Sequence, residues 1–311
     1  MPKNRIVVIG SSNTDMIIKM PRIPLPGETI TGGSFSKAAG GKGANQAVAA
    51  ARAGGRVTLI ARVGSDLFGD TAIAGFVADG IDVSCVLKDA ESPSGMALIF
   101  VAEDGENSIG VAPGANSRLS QKDIERFRDV VAAADLLVMQ LETPMESVQA
   151  AAEIAAANGV RVILNPAPAA PVPAEVLRHV DILTPNEHEA KMLTGLEVKD
   201  EATARKAAEA LMTRGVGKVL ITMGSRGAFV ASEAFRGMIG GYAVQAVDST
   251  AAGDVFNGAL AVALCEDRPL REAVVFANAA AALSVTKLGA QPSIPKRQEI
   301  ETFLSEHADK M

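Results

Sequence analysis

The sequence predicts an α/β protein: a mostly parallel sheet flanked by helices, with a small β-sheet inserted beside it as a lid. Three observations carry this. Short apolar runs recur at residues 6–9, 57–61, 136–139, 160–164, 182–183 and 219–223. Alanine-rich stretches of helical length lie between most of them. Two segments, 13–40 and 94–112, break the alternation with turn residues and strand-like composition. Strands apolar on both faces that alternate with helices belong in a parallel sheet covered on each side.

In chain order, Ile6-Val7-Val8-Ile9 followed by Gly10-Ser11 reads as a buried strand ending in a turn. Segment 13–40 sets strand-like residues 16–19 and 29–35 either side of a proline-rich turn, Pro21 to Gly27. A helix is expected over 44–53. Segment 94–112 sets 96–101 against 108–111 across Glu103-Asp104-Gly105-Glu106-Asn107. Both segments read as antiparallel hairpins. Two hairpins leaving one frame can pair into a lid whose apolar residues also offer a subunit interface. Helices are expected over 144–157 and 203–213, where Thr143-Pro144 reads as the cap and first position of the former. The last third changes character, with consecutive helices at 253–264 and 270–286 and a third near 296–305. One domain then spans 1–311, with the lid built from its two insertions.

Composition narrows the function. Thirty Lys and Arg against 36 Asp and Glu leave a net charge of -6, which disfavours a protein that binds a phosphate backbone through clustered cations. One Tyr, ten Phe and no Trp leave little for stacking on single-stranded bases. Cys85 and Cys265 form no CxxC pair, and His179, His188 and His307 have no HExxH spacing, so a zinc site is not expected. The apolar run at 6–9 is too short for a signal core or a membrane span, and a cytoplasmic protein is expected.

Several segments carry chemistry. Gly40-Gly41-Lys42-Gly43-Ala44-Asn45-Gln46 opens a helix, and its glycines let a ligand approach the backbone. It has neither Walker A nor dinucleotide spacing, and a tight turn is the alternative. Asn13 and Asp15 follow the first strand; a carboxylate there can accept two hydroxyl hydrogen bonds, and a capped turn is the alternative. Glu142 stands at a strand's carboxyl end, where open α/β sheets bind ligands, or simply serves a helix start. Asn186 and Glu189, three apart, can flank a hydrated Mg²⁺ or merely begin a helix. Thr222-Met223-Gly224-Ser225-Arg226-Gly227 is a glycine turn or a nucleotide loop, with the Arg near phosphates.

The most telling segment is Asp248-Ser249-Thr250-Ala251-Ala252-Gly253-Asp254-Val255-Phe256-Asn257-Gly258. Small residues leading into a helix leave backbone N–H groups free at its positive end, which makes an anion hole. A carboxylate beside it, Asp254, can orient a hydroxyl and take its proton while the hole steadies a transferring phosphoryl group.

Residues 248–254 resemble the C-terminal signature of the ribokinase-like (phosphofructokinase-B-type) carbohydrate kinases, and Gly40 to Ala47 resemble their N-terminal one. The motif order and both insertions fit that family over essentially the whole chain. The resemblance implies a ribokinase-like fold. It implies sugar binding by Asn13, Asp15, Gly41, Lys42, Gly43, Asn45, Glu142 and Asp254. It implies ATP contacts at Asn186, Thr222, Gly224, Ser225, Arg226, Gly227, Gly253 and Asn278. Ala251, Ala252, Gly253 and Asp254 would form the anion hole, with Asp254 as catalytic base. Mg²⁺ would lie near Asn186 and Glu189. K⁺ would be held by Asp248, Thr250, Ser284, Lys287, Gly289 and Ser293, several through carbonyls. Family members often dimerise through the lid. Two residues depart from the broad signature: Ala251 stands where Gly is usual, and Ser249 where Thr is. Asn278 stands where some members carry His near the adenine.

The activity implied is ATP-dependent phosphorylation of D-ribose at O5. Alternatives are a kinase of the same fold acting on deoxyribose, fructose, a keto-deoxy acid or a nucleoside, and a non-catalytic sugar or nucleotide sensor. A nicotinamide oxidoreductase is disfavoured, because no Gly-x-Gly-x-x-Gly follows the first strand.

Overall fold

The computed structural model describes residues 4–307. Strand β1 (Arg5–Ile9) shows how the frame is built: Ile6 and Val8 enter one hydrophobic core, Val7 and Ile9 the other. Such a strand needs cover on both faces, and the rest of the chain supplies it.

The lid strands β2 (Asn13–Met20) and β3 (Ser34–Gly40) come next, then α1 (Lys42–Arg52), β4 (Arg56–Gly64), α2 (Leu67–Ala78) and β5 (Val86–Asp89). The second lid hairpin is β6 (Gly95–Ala102) and β7 (Asn107–Ala112). After it run α3 (Gln121–Arg126), α4 (Arg128–Ala132), β8 (Leu136–Met139), α5 (Met145–Ala157), β9 (Arg161–Leu164), α6 (Ala174–Leu177) and β10 (Ile182–Leu183). Helices α7 (Glu187–Thr194) and α8 (Glu201–Met212) lead to β11 (Lys218–Thr222), β12 (Ala228–Ala231) and β13 (Arg236–Ile239). Helices α9 (Ala252–Cys265), α10 (Leu270–Ser284) and α11 (Arg297–Glu306) end the chain.

The large sheet has the order β13-β12-β11-β10-β9-β8-β1-β4-β5. It is parallel from β11 to β5, with β12 and β13 antiparallel at one edge. One core packs α1, α2, α9, α10 and α11 on one face, and the other packs α3 to α8 on the opposite face. Strand β5, Val-Leu-Lys-Asp, has no apolar run and sits half-covered at the edge, so hydrophobic pattern alone did not mark it. Helix α2 contains Gly69 and Gly75, which lower its helix propensity and hide it likewise.

The two hairpins form one four-stranded sheet, β3-β2-β6-β7. Each hairpin is antiparallel, and β2 and β6 join them in parallel. Register puts Asp15, Ala97 and Val111 in one row and Ile17, Ile99 and Ile109 in the next, so Asp15 has apolar neighbours on β6 and β7. The second strand of the first hairpin is Ser34–Gly40 rather than 29–35, because Gly32 adopts φ +97° and interrupts extended pairing. Among the described residues no helix is long and apolar enough to cross a membrane.

Candidate active site

The site lies at the carboxyl ends of β1, β8, β9 and β10, where the N-termini of α1 and α9 meet. A Cβ on Gly258 would lie 2.6 Å from the Ala49 Cβ and 2.7 Å from the Ala50 nitrogen, so α1 and α9 touch nearly backbone to backbone. One turn earlier on each helix, this contact brings Asp254 to Asn45 and Gln46. Asn45 Nδ2 donates to Asp254 Oδ2 at 3.0 Å, and Gln46 Nε2 donates to Asp254 Oδ1 at 2.9 Å.

Asp254 is buried, and burial raises its pKa above the usual carboxylate value. The Glu142 charge pushes the same way, while Lys42 and the two amides oppose it. Burial pushes the Lys42 amine down, but Asp254, Glu142, Glu189 and Asp15 together hold it above its ordinary value. Lys42 is therefore a cation set among four carboxylates.

On the lid side, Asn13 Oδ1 accepts from Asn116 Nδ2 at 2.7 Å, and Ser12 N donates to Asn116 Oδ1 at 2.9 Å, so Asn116 fixes which way Asn13 points. The Asp15 carboxyl is pushed up to about 6 by burial first, then by Glu142 and Asp254, against Lys42. Glu142 accepts from the Ser11 hydroxyl and from Lys42 N at 3.0 Å. Gly41 (φ +88°) and Gly43 are sterically required: a Cβ on Gly41 would meet Asn13 N at 2.7 Å, and one on Gly43 would meet Gly10 at 2.5 Å. Asn45 Oδ1 and Thr143 Oγ1 are buried without partners, as suits atoms awaiting a ligand's hydroxyl donors. Thr143 does not cap α5 as expected; Pro144 holds the cap position with no side-chain bond.

Gly253, next to Asp254, lines a cavity of about 430 Å³ together with Thr222, Gly224, Ser225, Gly227, Phe256 and Asn278 among others. A Cβ on Gly224 or Gly253 would meet nothing within 4 Å, so both glycines keep space open. Asn278 Nδ2 donates to the Ile239 and Gly240 carbonyls, which ties it to the cavity wall. Tyr242, Ala243, Val244 and Ala246 also line the cavity, and their segment carries no motif that could have marked them.

Ala251 takes the left-handed conformation (φ +62°) at the α9 N-cap. Val255 N–H donates to Ala251 O as the first helical bond, so the Gly253 and Asp254 N–H groups lie ahead of it, at the positive end. The Ala252 N–H, expected to be free, donates to Ser249 O at 3.2 Å, so the hole is narrower than the sequence suggested.

Arg226, expected near phosphates, bonds Glu187 and the Lys199 carbonyl through its guanidinium and does not line the cavity. Asn186 and Glu189 form a reciprocal capping box on α7, with Glu189 N donating to Asn186 Oδ1 at 2.8 Å and Asn186 N to Glu189 Oε2 at 2.8 Å. The helix-start alternative is thus realised. Each Glu189 oxygen still has a lone pair, which fits a metal-bound water, and burial raises the Glu189 pKa. Among the described residues no cluster of three or more His, Cys, Asp or Glu could hold a metal by itself.

Asp248 accepts from Thr250 N, Thr250 Oγ1 and Gly289 N, and these bonds together with Lys19 hold its carboxyl below the usual range despite burial. Val247 and Asp248 N–H groups both donate to Val285 O, which brings the 248–250 loop beside 284–289. The Ser284 and Ser293 hydroxyls donate to neighbouring carbonyls and keep their oxygen lone pairs, while Lys287 Nζ pairs with Glu299, so Lys287 has only its carbonyl oxygen for a cation. Carbonyl oxygens with one carboxylate suit K⁺.

A pfkB family carbohydrate kinase model matches residues 3–297. The chain is 49% identical to a ribokinase of Haemophilus influenzae over 306 residues, covering 98% of this chain and 100% of that one. It is 37% identical to a deoxyribokinase of Salmonella typhi over 301 residues, covering 96% and 98%. The structure of Arabidopsis thaliana ribokinase complexed with ribose and ATP superposes with a TM-score of 0.90 at 34% identity, covering 97% of this chain and 99% of that one. The fold is that of the ribokinases, and the chain belongs to the pfkB family of carbohydrate kinases.

Proposed function

We propose that the protein transfers the γ-phosphoryl group of ATP to O5 of D-ribose. One observation carries the reading: the buried Asp254 carboxylate shares the electrostatic field of Asp15 and Glu142, and its neighbour Gly253 lines the cavity. In this reading Asn13, Asp15, Gly41, Gly43, Asn45 and Glu142 hold the sugar hydroxyls, and Asp254 takes the O5 proton as the P–O bond forms. Lys42 offsets the charge gathered at the junction, and the N–H groups at the start of α9 receive the phosphoryl oxygens. Gly224, Ser225, Gly227 and Asn278 line the nucleotide's cavity. The lid closes over the sugar and excludes water, which would otherwise hydrolyse ATP.

Mg²⁺, held through water by Glu189 and Asn186, would neutralise phosphate charge. K⁺, held by Asp248, Thr250, Ser284, Lys287, Gly289 and Ser293, would stiffen the loop entering α9. The exposed Phe35 and Leu98 of the lid support a homodimer joined there, which sedimentation equilibrium would test. A cytoplasmic enzyme fits the ATP requirement.

A second reading, a deoxyribose kinase, has the Salmonella relative in its favour. Asn13 and Asp15 favour a sugar with free 2- and 3-hydroxyls. A kcat/KM panel of ribose, deoxyribose, fructose, a keto-deoxy acid and a nucleoside, with and without K⁺, separates them. Ribose is expected to rank first; ribose far below another acceptor overturns the assignment.

A further inference from the structure

Gln46 has no place in the sugar, nucleotide or cation contacts above, yet its buried amide touches the proposed base. Both polar atoms of that amide are used, and Asp254 and Asn165 dictate its polarity. Nε2 donates to Asp254 Oδ1 at 2.9 Å and to Asn165 Oδ1 at 3.1 Å, while Oε1 accepts from Gln140 Nε2 at 2.7 Å. Asn165 presents its oxygen because its own Nδ2 donates to the Thr184 carbonyl at 3.1 Å. A flipped Gln46 would set its oxygen against a carboxylate and an amide oxygen and would lose both donor bonds. Asn45 differs: its Oδ1 is unpartnered and available to a ligand, whereas both ends of the Gln46 amide are already engaged within the protein.

We propose that Gln46 is a positioning residue for phosphoryl transfer, and that the chain Gln140–Gln46–Asn165, set across the carboxyl ends of β8 and β9, holds the Asp254 carboxylate oriented and ionised. The inference rests on the reading of Asp254 as base. The charged groups facing Asp254 are Lys42 from α1, Glu142 from the end of β8, Asp15 from β2 and Glu189 from α7. Gln46 adds a neutral donor whose direction the strand-end amides fix. Donors to a carboxylate favour its charged form, which opposes the effect of burial.

The test uses the full chain and whichever sugar ranks first in the panel, so it stands apart from the choice of ribose. Gln46→Met keeps length and removes the donor. Its kcat is expected to fall at least about tenfold, the loss of one hydrogen bond to a charged group, with the KM for ATP within about twofold. The acidic limb of its kcat profile, taken at saturating sugar so that Asp15 protonation does not enter, should move to higher pH. Gln46→Glu sets a second carboxyl against Asp254 and should move that limb further. Gln140→Met keeps both Gln46 donors but frees their anchor, and should give a smaller change in the same direction. A folded Gln46→Met with the parental kcat overturns the proposal. So does a lowered kcat with an unmoved acidic limb, which marks general disorder of the site. If Gln46→Met does not fold by thermal melt and ATP calorimetry, Gln140→Met decides, and an unmoved limb there overturns it.

Discussion

Gly43 and Gly10 meet backbone to backbone: a Cβ on Gly43 would lie 2.5 Å from the Gly10 carbonyl carbon and 2.6 Å from the Ser11 nitrogen. Neither atom can yield as a flexible side chain would. The contact seats the start of α1 on the end of β1, and Asn45 and Gln46 reach Asp254 from that seat. Gly43→Ala must therefore lift α1 or push back β1. It is expected to cost about 2 kcal/mol of stability in urea unfolding, the range of an overpacked core, and to lower kcat with it. Parental stability and turnover would show that the helix seat is looser than the geometry says.

Asp15 gives a pH dependence. Its folded-state pKa of about 6 lies above the ordinary value because burial, Glu142 and Asp254 disfavour its charge. Only the ionised form accepts two sugar hydroxyls, so the KM for the sugar should rise as pH falls through about 6. The stability effect has the opposite sense. Below about pH 4 the group is protonated both folded and unfolded, and nothing is lost. As pH rises to about 6 the unfolded chain ionises first, and folded stability falls. Asp15→Asn should thus be more stable than the parent at pH 8, by on the order of 2 kcal/mol, and similar to it at pH 4. Its sugar affinity should be weaker and nearly flat between pH 5 and pH 8. A KM that rises equally in both proteins would assign the dependence to another group.

Much of this arrangement was legible in the chain, for physical reasons. Strands such as β8, apolar on both faces, announce a covered parallel sheet. The small residues from Ser249 to Gly253 have no packing role that demands them, so an anion hole was the natural reading. The Asn186–Glu189 spacing was ambiguous because a capping box and a metal-flanking pair need the same residues at the same interval. The Arg226 pairing with Glu187 was invisible because it joins residues distant in sequence. Gln140, Asn165 and Thr184 follow strands and carry no motif of their own. They converge only because β8, β9 and β10 are neighbours in the sheet, which local pattern does not encode.

Ala251 and Gly253 separate strain from function. Ala251 sits at φ +62°, where a Cβ is unfavourable and glycine is at ease. Ala251→Gly is expected to stabilise the protein by up to about 1 kcal/mol, since it relieves that conformation at some entropic cost. Turnover should change little. Gly253→Ala has the reverse profile. Its Cβ meets no atom within 4 Å, so the melting temperature should stay within a few degrees. The same methyl projects into the space assigned to phosphate, so ATP affinity and kcat should fall. Equal ATP affinity in Gly253→Ala and the parent, measured by calorimetry, would move the phosphates away from the start of α9.

Asp254→Asn tests the base with almost no change of shape. The substitution replaces one oxygen by an NH₂ group, yet both neighbours, Asn45 Nδ2 and Gln46 Nε2, are donors. One neighbouring amide is left facing a donor, and Asn165 with Gln140 keeps Gln46 from turning, so Asn45 is the residue expected to yield. Removing a buried carboxylate also removes its desolvation cost, so the variant should unfold no more easily than the parent. It has no base for the sugar hydroxyl, and kcat should fall at least about 10²-fold, the low end for general-base catalysis. ATP affinity should persist, because the Gly253 N–H and the cavity are untouched. Near-normal turnover with sugar binding intact would remove Asp254 from the chemistry and, with it, the reason that Asn45 and Gln46 converge on one buried carboxylate.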